Sequence, residues 1–128
     1  MKKILIILLI VAALALSAFL LFRNNYQKMR NAINTEFSKV QAVNLAGKPD
    51  GNYTGEFGSF LVNVKLEVTV SNNSISGIKI LKQDCGKGYE ALATTDRIIT
   101  ANSPLVDAVT GATSSSKSIM IAVWKALQ

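Results

Sequence analysis

Seven consecutive residues of this 128-residue chain have types and spacing suited to chemistry: Asp107, Ala108, Val109, Thr110, Gly111, Ala112 and Thr113. Ser114, Ser115 and Ser116 follow, and then an apolar segment. In that segment Ile119, Val123 and Leu127 recur at helical spacing, with Met120 and Trp124 on an adjoining stripe, which predicts a helix over 118–127. Thr113 or Ser114 is its expected N-cap, because a side-chain oxygen there can accept from a free N–H of the first turn. A helix N-terminus presents unpaired N–H groups and the positive end of a dipole, and both favour an anion such as phosphate. Gly111 lacks a Cβ and permits a sharp turn or a close approach of backbone to ligand. Lys117 in the first turn has the wrong sign for the helix dipole; a phosphodiester at Thr113 would give that cation a purpose. Taken by themselves, the same residues also fit a plain turn and helix cap.

What the chain lacks narrows the chemistry. It has no histidine, which excludes a Ser-His-Asp triad and most zinc and haem sites. Its one cysteine, Cys85, cannot hold an iron–sulfur cluster or close an internal disulfide, and reads as a small packed side chain or a free thiol. No Gly-x-Gly-x-x-Gly follows a strand, so there is no nicotinamide fingerprint. The net charge of +6 is spread along the chain with no basic helical stripe, which argues against nucleic acid and for a place near anionic lipid or polymer.

The elements that must position the loop follow from patterning. Residues Ile4 to Phe22 are apolar except for Ser17. Nineteen helical residues span about 28 Å, close to a hydrocarbon core of about 30 Å, so 1–23 reads as an uncleaved transmembrane anchor. The alternative is a cleaved signal sequence cut at Ala13-Leu14-Ala15, which would leave Leu16 to Phe22 as a needlessly apolar terminus. Positive charge is balanced on the two flanks of the run and does not set its orientation. A short basic head before an apolar run usually sends the downstream chain across the membrane, so the domain is expected outside the cytoplasm, on a single-pass cell-membrane protein. Residues 24–46 read as a helical stalk or linker, since Met29, Ile33, Phe37 and Val40 repeat at helical spacing through about Leu45. Either the membrane helix continues as a stalk, or an amphipathic segment packs on the domain.

Gly47-Lys48-Pro49-Asp50-Gly51 is a strong breaker and starts the domain, 47–128. Val62, Val64, Leu66, Val68 and Val70 alternate with polar residues, as in a half-buried antiparallel strand. Ser71 to Ser74 is turn chemistry, and Ile75 to Leu81 returns as the hairpin partner. Asp84 to Gly88 is a loop, Glu90 to Thr100 a helix, and Ser103-Pro104 breaks it before the Asp107 loop. The expected class is α+β: a membrane-type helix, then a small antiparallel sheet packed against helices.

The run Asp-x-x-Thr-Gly-Ala-Thr at 107–113 resembles the signature of the FMN-binding domain family. That family includes the C subunit of the sodium-pumping NADH:quinone oxidoreductase and the G subunit of the Rnf complex. Asp50-Gly51-Asn52-Tyr53-Thr54-Gly55 resembles the family's opening Asp-Gly-x-Tyr-x-Gly. The resemblance runs over roughly residues 47–128 and is that of a minimal membrane-anchored member. It implies that Thr113 carries FMN through a phosphoester. FAD would be the donor and a magnesium-dependent flavin transferase the modifying partner. Asp107, Thr110, Gly111, Ala112 and Ser114 complete the implied site: Thr110 and Gly111 shape the loop, and Asp107 orients it or is read by the transferase. Ser114, Ser115 and Ser116 are competing hydroxyls. Gln83 stands where relatives often carry histidine, which removes a proton-handling group near the loop. Tyr53, Tyr89 and Trp124 are candidates for ring contact, and ordinary core packing accounts for each.

A phosphoester leaves the flavin ring free to change redox state while the protein tethers and tunes it. The expected function is therefore extracytoplasmic electron transfer between membrane or surface partners, whether redox proteins or quinone. Two alternatives stay open: a flavin-dependent reductase of an external small acceptor, and a cofactor-free surface binding module.

Overall fold

The apolar run and the segment after it form one uninterrupted helix, α1 (Lys2–Phe37), in a computed structural model that describes residues 1–128. By length and composition this helix could cross a membrane: its most apolar 18-residue window has a mean hydropathy of 3.2 and is 0% buried. The last turns behave differently. Met29 and Ile33 are only 2% and 1% exposed, and they pack against the domain. The segment after the apolar run is a continuation of α1 whose final turns dock. The helix stops at Phe37, short of Leu45. The spacing misleads here because Val40 and Leu45 reach the same core from an irregular segment, not from further turns of helix.

Three antiparallel strands follow, β1 (Gly51–Ser59), β2 (Val62–Ser71) and β3 (Ser74–Asp84), in the spatial order β1-β2-β3. The alternation read in β2 is realised: Val62, Val64, Leu66, Val68 and Val70 are all buried, and the residues between them are not. Asn72 and Asn73 turn the second hairpin in the left-handed region, which asparagine tolerates well. The Asp50 carboxylate accepts the Asn72 N–H at 2.9 Å and ties the start of β1 to that turn.

Two helices close the structure, α2 (Ala93–Ala101) and α3 (Thr113–Leu127). α2 starts later than the patterning suggests, because Ala91 takes a positive φ of 55° and interrupts the chain just before it. α3 lies against β1 and β2 on one side and α1 on another, so it is buried nearly all round: Ile119, Met120, Ile121, Ala122 and Val123 are 0% exposed. Only Gly55 allows α3 to sit so close to β1. A Cβ at that position would collide with the Ala122 carbonyl and come within 2.9 Å of Ala126 Cβ. The class is α+β, a long apolar helix followed by a three-stranded sheet packed with helices.

Candidate functional site

The 107–113 loop connects α2 to α3 and is held from both helices. The Arg97 guanidinium on α2 donates to the carbonyl oxygens of Asp107 at 2.8 Å and Ala108 at 3.0 Å. The Ser116 hydroxyl accepts the Val109 N–H at 2.9 Å and donates to the Ala112 carbonyl at 2.8 Å. Gly111 makes the turn with φ of +80°, and open space surrounds the position of its missing Cβ. Its requirement is therefore one of conformation and not of room.

The start of α3 departs from the expectation of a Thr113 or Ser114 cap. Ala112 occupies the cap position, without a side-chain cap bond, and Thr113 is the first helical residue. The task of closing the loop falls to Ser116, whose two hydrogen bonds bridge back to Val109 and Ala112. The Thr113 hydroxyl is left exposed, and it makes no hydrogen bond within the loop. The first intrahelical bond comes from the Ser116 N–H, so the Thr113, Ser114 and Ser115 N–H groups have no backbone partner at the positive end of the dipole. Lys117 is accounted for without an anion. Its ammonium donates to Asn34 Oδ1 at 2.8 Å and lies 5.0 Å from the Phe37 ring centre, so it fastens α3 to α1.

Thr113 stands on the rim of a cleft of about 420 Å³, within the usual range of small-molecule sites of about 300–1,000 Å³. Four parts of the chain line it: Tyr26, Met29 and Arg30 of α1, Leu61 of the β1–β2 turn with Val62 that opens β2, Gly86 and Tyr89 of the β3–α2 loop, and Gly111 to Ser115. Arg30 is the one charged residue in this lining. An aromatic and aliphatic wall, a single cation and a row of unpaired N–H groups suit a flat aromatic ligand carrying a phosphate. FMN is such a ligand, and Thr113 to Ser115 with Arg30 would hold its phosphate.

The motif does not converge on one point. Gly111, Ala112, Thr113 and Ser114 line this cleft, whereas Asp107 and Thr110 border a broader depression beside Asp96 and Arg97. Of the three aromatic candidates, Tyr89 lines the cleft. Trp124 is in the core, and the Tyr53 hydroxyl donates to the Pro49 carbonyl at 2.7 Å under the Lys48 ammonium. Tyr26, Arg30 and Leu61 were not singled out by sequence reasoning. Nothing in their spacing marks them, because α1 and the β1–β2 turn meet the loop only in three dimensions.

Gln83 has a structural task. Its side-chain amide donates to the Glu90 carbonyl at 2.7 Å and braces the loop that carries Tyr89. The Glu90 carboxylate accepts the Gly88 N–H at 3.2 Å, and backbone hydrogen bonds hold its pKa below the ordinary value. Cys85 is half-buried at the edge of this region. Burial, then the nearby Glu90 charge, pushes its thiol pKa up, with a hydrogen bond from Ser115 in partial opposition. A protonated, partly buried thiol is a poor nucleophile.

Fold and cleft together define a small α+β cofactor-binding module on a membrane-type helix. Residues 62–128 match the FMN-binding domain family, just over half of the chain, and the chain belongs to that family. FMN is accordingly the cofactor that the family supports. The match begins at β2, so α1, β1 and the Asp50–Gly55 stretch lie outside it. No curated protein matches the chain.

Proposed function

We propose that this chain is a membrane-anchored, extracytoplasmic electron carrier with FMN phosphoester-linked to Thr113. The observation that carries the reading is the setting of that hydroxyl, exposed and without a partner at the first residue of α3, on the rim of the cleft. Its competitors are less available, since Ser115 is 4% exposed and Ser116 is 0% exposed with its hydroxyl engaged twice. In the attachment step the Thr113 oxygen forms a bond to the FMN phosphorus of FAD. The pyrophosphate P–O bond breaks, AMP leaves, and the hydroxyl proton passes to a base of the flavin transferase or to water. Once bound, the flavin supplies reversible electron uptake and release. The protein's part is to hold the phosphate at the α3 N-terminus and to limit water around the ring with Tyr26, Leu61 and Tyr89. Electrons would pass to redox proteins or quinone at the membrane.

Co-expression with a flavin transferase tests the reading. The wild-type band is expected to fluoresce on a denaturing gel, with its mass raised by one FMN less a water. Thr113→Ala is expected to lose both signals, and Thr113→Ser to retain some. Label mapping to Ser114, or persisting in Thr113→Ala, overturns the site. Absence of flavin despite an active transferase overturns the carrier.

A further inference from the structure

The β1–β2 hairpin turns through Phe60 and Leu61, and this turn breaks the rules that the other hairpin obeys. A tight turn that needs a positive φ ordinarily takes asparagine, aspartate or glycine, as Asn72 and Asn73 do between β2 and β3. Phe60 instead adopts a φ of 49°, a conformation that bulky residues rarely hold without a reason. Both turn residues are also large and apolar, and they stand 46% and 45% exposed at the tip. Gly58 and Ser59, which lead into the turn, are uncharged. In water alone the exposed half of such a tip gains nothing, and the turn bears the strain.

Its position supplies the reason. The Phe60 ring meets Phe22 edge to face, with centroids 5.9 Å apart, and Phe22 stacks on Tyr26 at 6.3 Å. Phe22 is the last residue of the apolar run on α1, and Arg23 follows it. The tip therefore lies level with the end of the span. Tyr and Trp concentrate at that level in membrane proteins, and Phe and Leu are residues that interfacial segments bury at the boundary between headgroups and acyl chains. Arg23 and Lys28 in the next two turns would draw in anionic lipid.

We propose that the Phe60–Leu61 tip is a second membrane contact, inserted at the lipid interface beside α1. This rests on the reading of α1 as a span. Two attachments fix what one helix leaves free, the tilt and rotation of the domain about its anchor. The flavin cleft shares Leu61 with the tip, and Tyr26 and Arg30 lie four and eight residues beyond Phe22. At the helical rise these are about 6 and 12 Å above the end of the span. A headgroup layer of roughly 5–8 Å then brings the cleft mouth to the membrane surface. The cofactor loop is thereby offered to partners that lie in or on the bilayer, ahead of those in free solution.

Depth-dependent quenching tests the contact. The full chain is placed in vesicles of phosphatidylcholine and phosphatidylglycerol, with and without lipids brominated near the top of the acyl chains. The native Trp124 is in the core and sets the background. Phe60→Trp is expected to add emission that is shifted to the blue and mostly lost with brominated lipid. Thr54→Trp, an exposed site farther along β1, is expected to add emission that the lipid leaves intact. Leu61→Trp serves as a second reporter should Phe60→Trp fold poorly. Emission from the tip reporters that brominated lipid leaves unchanged, with the protein still in the carbonate-washed pellet, overturns the docking and leaves the anchor standing. Protein released by carbonate overturns both.

Discussion

Thr113 and its three serine neighbours are chemically alike and differ in their surroundings. Within the four residues that open α3, exposure falls from Thr113 to Ser116, and Ser116 is consumed by the loop. Sequence alone offered four hydroxyls, because the burial of Ser115 and Ser116 and the Ser116 bonds to Val109 and Ala112 arise only in the folded chain. Cys85 is the other reactive side chain at this scale. Its pKa is raised by burial and by Glu90, so the thiolate is disfavoured at neutral pH. Alkylation by iodoacetamide at about pH 8 is expected to run slower than for an exposed cysteine of ordinary pKa, about 8.5, and to climb only above the ordinary thiol range. Because the folded form holds this proton more tightly than the unfolded chain, the stability it contributes is present below the unfolded pKa. It fades as pH rises through the folded one. Cys85→Ser is expected to remove both effects while leaving flavin attachment unchanged, as read by gel fluorescence.

Among the elements, α3 decides most, since sheet, α1 and motif loop all meet on it. Gly55 sets how near it comes to β1. Gly55→Ala is expected to cost about 1–3 kcal/mol or more, because backbone stands where the new methyl would go. A lowered denaturant midpoint in the soluble domain measures it. The Asp50–Gly55 pattern was legible as a resemblance, and the close approach of α3 accounts for its last glycine. The docking of α1 was only half legible. Periodicity marked Met29 and Ile33 as one face, and no spacing could say what covered it. Ile33→Ala is expected to destabilise by about 2–5 kcal/mol, the cost of a cavity at a site 1% exposed. A soluble form beginning near Ala46 would lack Met29, Ile33, Val40 and Leu45 of the core, and is expected to melt lower than one beginning at Asn24. Equal melting temperatures would show that α1 contributes nothing. The Glu36 carboxylate adds a small electrostatic tie, accepting from Lys39 at 2.6 Å and facing Lys125 of α3 at 3.7 Å. Lys39 first, then Lys125, holds its pKa low against a modest opposing burial. That tie is present above the ordinary carboxylate range and is lost as pH falls through the lowered value.

The molecule as a whole is a compact domain carried on a helix that projects beyond it. Between Ile4 and Phe22 the apolar side chains are about half exposed or more, a surface that water would not tolerate unaccompanied. The full chain is expected to remain in the membrane pellet through high-salt and carbonate washes. A soluble product starting near Leu16 would show cleavage instead. Continuity of α1 from the apolar run to its docked last turns leaves little slack between run and domain, so the two are joined rigidly and not by a flexible leash.

From its sequence this protein could be assigned an apolar helix, an antiparallel hairpin, an α+β domain and a flavin-type loop. Those assignments rest on local signals: a run of apolar residues, a period of two, turn residues, and a contiguous motif. Tertiary structure alone decided that α1 packs on α3, that Lys117 reaches Asn34, that Ser116 and not Thr113 closes the loop, and that Arg30 and Tyr26 join Thr113 around one cleft. It also brought Phe60 against Phe22. Each of these depends on how helices and sheet exclude water together, a property that no stretch of sequence carries by itself.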